Sequence, residues 1–234
     1  MKKKKLSIII PVFNESQTLT PLLKKIENVR AGMDKEIIIV DDGSTDSTRR
    51  ILVDLRRRYK VIFKEKNEGK GSALKAGIAN ATGDFVIFQD ADLEYDPYDY
   101  PAMIQPILDG KTEAVMGVRA FQDKIFRHKS LSYWLSWFGN EIITWTTNFL
   151  FSNKAGEYEG CYKAFTKQLL SKIEVKTNGF AYDNELVCKI LKKGYKTVDV
   201  PIHYYPRTYE QGKKIKAKDG FIILWTIIKC RFVD

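Results

Sequence analysis

The 234-residue chain has few of the residues on which several common chemistries depend. Its only histidines are His128 and His203, which excludes a histidine-rich metal centre or several catalytic histidines. The three cysteines, Cys161, Cys188 and Cys230, lie far apart and form no CxxC pair. Neither a zinc site nor a dense disulfide framework fits them, and buried thiols in a reducing compartment are expected. No GxGxxG follows an apolar run, which disfavours a dinucleotide-binding dehydrogenase. Gly69-Lys70-Gly71-Ser72 looks like a fragment of a phosphate loop, yet a Walker A loop needs glycine where Lys64 stands and Ser or Thr where Gly71 stands. No apolar run approaches the roughly 20 residues that span a bilayer. The basic start before residues 6–11 superficially resembles a signal peptide. Its apolar stretch is short, is broken by Pro11 and runs into Asn14 and Glu15 without a small-residue cleavage site. A cytoplasmic location is the expectation.

What the chain does have is a core-forming composition, 44% hydrophobic with 13 Phe and 12 Tyr, and an excess of 39 Lys and Arg over 29 Asp and Glu. The net charge of +10 points to an anionic partner: nucleic acid, an acidic membrane or phosphorylated substrates. Charge alone does not choose among them. The length suits one domain spanning residues 1–234.

The first half alternates between two periods. Short apolar runs at 6–11, 36–40, 61–63, 84–89 and 114–118 read as strands. Helical spacing or helix caps cover 18–30, about 45–59, 71–80 and 97–108, the last with proline near its first turn. Strands that are continuous apolar runs separated by helices imply an α/β fold with a mainly parallel sheet covered on both faces. Ligands of such sheets sit beyond the carboxyl ends of the strands. Those ends carry Asn14 and Glu15, Asp41 and Asp42, and Asp90 and Asp92. The second half differs: 131–151 is rich in aromatics, a strand is expected near 162–165, a helix near 184–193 and a strand at 197–202. Residues 207–218 are basic and 221–228 form an apolar, helix-like stretch.

If Asp90-Ala91-Asp92-Leu93-Glu94 stays extended, its three carboxylates point to one side, because side chains on a strand alternate. A divalent cation relieves their repulsion, and hard oxygen ligands favour Mg²⁺ or Mn²⁺. The plain alternative is a solvated acidic loop that caps the next helix, a role suited to Asp96. Asp41-Asp42-Gly43-Ser44 ends a strand, where an acid could meet a ribose or base, or where the segment is merely a capped strand–turn–helix junction.

Pro11-Val12-Phe13-Asn14-Glu15, Asp41-Asp42-Gly43-Ser44-Thr45-Asp46, Gly69-Lys70-Gly71 with Ala73, Gly83-Asp84, and Asp90-Ala91-Asp92-Leu93-Glu94 occur in the order seen in family 2 glycosyltransferases. Pro201-Ile202-His203-Tyr204-Tyr205-Pro206-Arg207-Thr208, with Gly212-Lys213-Lys214-Ile215 and Asp219-Gly220, resembles the dolichol-phosphate mannosyltransferase branch, whose members act on polyprenyl phosphates. The resemblance covers nearly the whole chain. It implies a GT-A fold with a Rossmann-like sheet, a nucleotide-sugar-binding half at 1–120 and an acceptor-binding, membrane-facing half at 121–234. It places Pro11, Phe13 and Glu15 around the base and Asp42 near base or ribose. Lys70, Asp90, Ala91 and Asp92 would also line the donor, and Asp92 and Glu94 would hold the metal on its diphosphate. Many relatives of this branch carry Gln where Glu94 stands; the extra negative charge should tighten metal binding or alter metal preference.

The implied reaction inverts the anomeric centre of a GDP-mannose or UDP-sugar donor by in-line attack. Arg119 and Arg207 are candidates to stabilise the departing phosphate, against the alternative that each is a surface charge. A phosphate acceptor supplies its own oxyanion near neutral pH, since its second pKa is about 6. A hydroxyl acceptor on a polysaccharide, lipid or protein, the competing reading, needs a general base. Asp183 and Glu185 could orient donor or acceptor, or could complement the N-terminus of the following helix. Basic residues beside the aromatic segment 131–151 and the stretch 221–228 suit a peripheral membrane surface, with or without a separate anchoring subunit. The plain alternative for 131–151 is a buried helix or a dimer contact. Nucleic-acid binding is disfavoured: no recognition motif is present, and the acidic strand ends repel phosphate.

Overall fold

The computed structural model describes residues 3–119, 131–205 and 217–233. Seven strands, β1 (Lys5–Val12), β2 (Asp34–Asp41), β3 (Lys60–Phe63), β4 (Phe85–Phe88), β5 (Ala114–Arg119), β6 (Lys163–Thr166) and β7 (Thr197–Ile202), form one sheet in the order β3-β2-β1-β4-β6-β5-β7. β1 lies between β2 and β4 and pairs in parallel with both. Its Ile8, Ile9 and Ile10 are fully buried, as expected of a strand covered on both faces. β6 alone runs against its neighbours β4 and β5, so the expected parallel sheet has one inserted antiparallel strand.

Among the described residues, eight helices cover the sheet and its C-terminal flank: α1 (Leu19–Asn28), α2 (Thr48–Leu55), α3 (Lys70–Asn80), α4 (Tyr100–Leu108), α5 (Leu131–Phe151), α6 (Lys167–Ser171), α7 (Tyr182–Lys192) and α8 (Ala217–Phe232). In α1, Leu19, Leu22, Leu23 and Ile26 are buried at the spacing that turns one helical face to a core. Truncating Leu22 to alanine would cost about 2–5 kcal/mol. The helix expected to reach residue 59 ends at Leu55, and the one expected from residue 97 begins as a 3₁₀ turn, Pro97–Asp99. Asp96 caps that turn by accepting from the Tyr98 amide, as the sequence suggested. Asp46 accepts from the Thr48 amide at the start of α2.

A polar knot sits inside the core. Gln89, fully buried after β4, accepts hydrogen bonds from Tyr100 and Tyr162 at 2.7 and 2.5 Å. The three cysteines are buried and form no disulfide. A second, smaller core joins α5, α7 and α8 through Ile143, Ala181, Cys188, Ile223, Ile227 and Cys230. Among the described residues no helix is long and apolar enough to cross a membrane.

Candidate active site

Parallel pairing of β1, β2, β3 and β4 brings their C-terminal ends to one edge of the sheet. The segment after β1 is bound to the segment after β2. Asn14, with a positive φ of 55°, accepts the amides of Thr45 and Asp46, and the Glu15 amide donates to Thr48. Pro11 lies in β1 opposite Val40, Phe13 is half-buried just beyond, and Glu15 is buried with its carboxylate accepting from Thr18. Gly43 permits the turn: its φ is 73°, and a Cβ there would sit 2.5 Å from the backbone of Lys66.

The two aspartates of this turn have different surroundings. Asp42 accepts the amides of Glu68 and Gly69 at 3.2 and 2.8 Å and pairs with Lys64 at 2.6 Å. It therefore draws the loop before α3 onto the end of β2. Asp41 is fully buried; one oxygen accepts from Ser44, while the other has no hydrogen-bond partner and lies 3.8 Å from Arg49. A buried carboxylate oxygen left without a hydrogen bond is costly, so Asp41 joins Asp42 as a candidate contact for the donor.

Lys70, the first residue of α3, reaches across to the end of β4. Its ammonium lies 2.8 and 3.1 Å from the two oxygens of Asp90 and 3.7 Å from Asp183 at the start of α7. Burial penalises the charges of both Lys70 and Asp90, yet their attraction prevails: it raises the lysine well above its usual range and lowers the carboxyl. Lys70 thus joins three elements that meet at the sheet edge. Cys161 is buried beside this cluster, and burial, together with the Asp90 charge, pushes its thiol up, so it stays protonated.

The acidic segment after β4 does not stay extended. Asp92 accepts the amide of Glu94 at 3.1 Å, and Leu93 has a φ of 64°, so the chain turns and the alternation of side chains is lost. Tyr204 then donates to the Glu94 carboxylate at 2.9 Å, and the Tyr205 amide donates to the Glu94 carbonyl. With Asp90 held by Lys70 and Glu94 by Tyr204, the three carboxylates do not converge. Among the described residues no three metal-ligating side chains form a cluster. Ala91 is buried beneath the turn, and Asp92 is half-buried.

Arg119 ends β5 and is neither free nor a plain surface charge. Its guanidinium pairs with Glu157 and lies 4.9 Å over the ring of Tyr204. Tyr204 also packs against Tyr95, which stacks on Tyr162, so an aromatic wall backs Arg119 and the turn. His203 anchors the start of this extension, its ring and backbone amide both 2.8 Å from Asp99. Glu159 accepts from Asn184, and burial outweighs that bond to raise its carboxyl.

Asp183 and Glu185 part company. Glu185 accepts the amides of Lys176 and Thr177 and pairs with Lys189; these contacts overcome burial and hold its carboxyl at about 2. It fixes the loop before α7. Asp183 instead faces Lys70, and its second oxygen is buried without a hydrogen-bond partner. Arg207 lies outside the described residues. Sequence reasoning missed Glu157, Tyr204 and Lys64 as partners. Of these, only Lys64 carried a signal: it follows β3, the neighbour of β2, so its charge had to fall near Asp42.

The model of the family described as Glycosyl transferase family 2 matches residues 7–174. The chain is 28% identical over 222 residues to an uncharacterized protein of Methanocaldococcus jannaschii, covering 88% of this chain and 93% of that one. It is also 28% identical over 218 residues to undecaprenyl-phosphate 4-deoxy-4-formamido-L-arabinose transferase of Klebsiella pneumoniae, covering 90% of this chain and 62% of that longer protein. Glucosyl-3-phosphoglycerate synthase of Mycobacterium tuberculosis, in complex with Mn²⁺, UDP and phosphoglyceric acid, superposes with a TM-score of 0.73 at 18% identity. That match covers 99% of this chain and 80% of the synthase. The same enzyme with Mg²⁺ and UDP superposes with a TM-score of 0.70 at 17% identity, covering 99% of this chain and 80% of that one. The sheet and its flanking helices have the GT-A fold, and the chain belongs to glycosyltransferase family 2.

Proposed function

We propose that this glycosyltransferase moves a sugar from a nucleoside-diphosphate donor to a polyprenyl phosphate. The observation that carries the reading is the commitment of the acids at the sheet edge. Asp90 and Asp183 share Lys70, Glu94 accepts from Tyr204, Glu157 pairs with Arg119, and Glu185 is locked by amides and Lys189. A carboxylate stabilised by a cation is a weak base. A phosphate acceptor needs none, because it arrives as an oxyanion. The likeness to the undecaprenyl-phosphate transferase along 90% of this chain supports the same acceptor.

In this reading the donor base and ribose lie along Pro11, Phe13, Glu15 and the Asp41–Asp42 turn, and the diphosphate lies over Ala91 and Asp92. The solved relatives carry Mn²⁺ or Mg²⁺ with UDP. The residues here suit such an ion: Mg²⁺ takes one or two carboxylates and completes its shell with water and substrate phosphates, so no full protein cage is required. Asp92 would hold it, with Glu94 as second donor, and the ion would supply Lewis-acid stabilisation of the departing diphosphate. Lys70 offsets the charge of Asp90 and part of that of Asp183, which would otherwise repel the diphosphate. Arg119 and Arg207 steady the acceptor and donor phosphates.

The second reading, a hydroxyl acceptor, is favoured by one observation: the half-buried Glu159 accepts from Asn184, and burial raises its carboxyl where contacts lower those of Asp90 and Glu185. Incubation with labelled nucleotide sugars, Mg²⁺ or Mn²⁺, and either a short polyprenyl phosphate or the corresponding polyprenol separates the two. Label in the phosphate alone, unaffected by Glu159→Gln, is expected. Label in the polyprenol, lost in Glu159→Gln with donor binding intact, would replace the first reading with the second.

A further inference from the structure

The acids around the proposed donor base differ in what they have left to offer a ligand. Asp42 has both oxygens in use: one takes the Glu68 amide and the Lys64 ammonium, the other the Gly69 amide. The Glu15 carboxylate accepts from Thr18. Asp41, at the end of β2, is fully buried; its Oδ1 accepts the Ser44 amide at 3.1 Å, and its Oδ2 has no hydrogen-bond partner. A buried acceptor in that state calls for a donor that the protein itself does not supply. The turn therefore offers one open acceptor, not a pair.

A cation stands beside that acceptor. Arg49, the second residue of α2, has its guanidinium 3.8 Å from Asp41 Oδ2. Two contacts hold it there: it donates to the Lys64 carbonyl at 3.4 Å, and it lies over the ring of Phe63, 5.2 Å from the centroid. Phe63 is paired with Asp41 across β3 and β2, so the arginine and the open oxygen are presented side by side. The arginine side chain is 44% exposed and has further N–H groups to give. An open acceptor with donors beside it is the complement of an N–H flanked by a carbonyl oxygen.

We infer, on the donor site proposed above, that the base is a 2,4-dioxopyrimidine, uracil or thymine: Asp41 accepts its N3–H, and Arg49 donates to one of the flanking carbonyls. The pairing edge of these bases reads acceptor, donor, acceptor, and the contact to the carboxylate is charge-assisted. Guanine reads acceptor, donor, donor. Its O6 suits Arg49 and its N1–H suits Asp41, but its amino group needs a second acceptor, and Asp41 Oδ1, Asp42 and Glu15 are engaged. Adenine and cytosine bring a ring-nitrogen lone pair to Asp41 where an N–H is wanted. A site that hydrogen-bonds one edge rejects an edge that leaves buried polar groups unpaired. Of the two donors that the resemblance allows, the uridine nucleotide is the one that fits, and Arg49 is the residue that reads it.

The test is calorimetric titration of the full chain with nucleoside diphosphates in the presence of Mg²⁺, which reads binding without turnover. UDP or dTDP should bind at least about tenfold more tightly than GDP, ADP or CDP, and the comparison of the first two separates uracil from thymine. N3-methyl-UDP should lose about tenfold or more, a result that needs no variant. Either 2-thio-UDP or 4-thio-UDP should bind more weakly than UDP, and that deficit should vanish in Arg49→Met. GDP binding as tight as UDP, tolerance of N3-methylation, or an Arg49→Met chain that weakens every nucleotide alike would overturn the inference. Binding of no nucleoside diphosphate would overturn it together with the donor site. The expected base preference without transfer to polyprenyl phosphate would support it and count against the proposed acceptor alone.

Discussion

Replacing Lys70 with methionine removes the cation that Asp90 and Asp183 share while keeping an unbranched, apolar side chain in its place. Asp90 loses the one ammonium that lies 2.8 and 3.1 Å from its two oxygens, and Asp183 loses its neighbour at 3.7 Å. Breaking a buried ion pair costs about 3–5 kcal/mol, because the abandoned charge stays desolvated. The side chains of Lys70 and Asp90 are 18% and 22% exposed, so water relieves part of that cost and the lower end, about 3 kcal/mol, is expected. Urea unfolding at neutral pH followed by circular dichroism should show the midpoint fall by about 1 M, with an unchanged slope. The deficit should shrink as pH falls, because in the variant the folded state gains from protonating the abandoned carboxylates. Adding Asp90→Asn should recover part of the loss. A deficit below about 1 kcal/mol, or none of this pH dependence, would show that the pair is effectively solvated and refute the reasoning.

Further outcomes follow from other groups. Glu36 holds Ser7, Thr82 and Gly83; hydrogen bonds from Ser7, Thr82 and Lys5 overcome its burial and bring its carboxyl down to about 2. Its stabilisation is complete above the unfolded carboxyl's pKa and is lost as pH falls from about 4.5 toward 2. Glu36→Gln should therefore cost about 1.5–2 kcal/mol at neutral pH after allowance for solvent screening, with transfer rate unchanged, read by urea unfolding and a transfer assay. Asp199 behaves oppositely: burial raises its carboxyl, the Gly156 amide opposes only in part, and one oxygen has no hydrogen-bond partner. Its contribution to stability is lost as pH rises through the folded pKa, so Asp199→Asn should raise the neutral-pH melting temperature by about 1–3 °C and have no such benefit in acid. Glu94→Gln keeps an acceptor for Tyr204 but removes a charge; Mn²⁺ titration of donor binding should show a several-fold weaker metal affinity. Unchanged affinity would remove Glu94 from the metal's donors.

The fold was legible where burial on both faces leaves a continuous apolar run, as in Ile8–Ile9–Ile10 and Ile38–Ile39–Val40. Helices with a single buried face, such as α1, were equally plain from the spacing of Leu19, Leu22, Leu23 and Ile26. The antiparallel insertion of β6 between β4 and β5 was not, because strand direction follows from tertiary pairing and leaves no local mark. The turn after β4 is illegible for a sharper reason. Leucine rarely adopts the φ of 64° found at Leu93, and nothing adjacent in sequence shows that Tyr204, 110 positions on, draws Glu94 aside. The candidate acids were visible as residue types at strand ends. Their division into held and exposed groups was not, since Lys70 and Asp183 or Arg119 and Glu157 meet only once the sheet has formed.

Phosphorus NMR of the lipid product bears most directly on the proposed chemistry. With a matched nucleotide sugar and Mg²⁺ or Mn²⁺, the phosphomonoester resonance of a short polyprenyl phosphate should be replaced by that of a phosphodiester. One nucleoside diphosphate should be released for each acceptor consumed, and the conversion should stop with EDTA or in Asp92→Asn. Donor consumption that leaves the phosphomonoester resonance intact would contradict a phosphate acceptor.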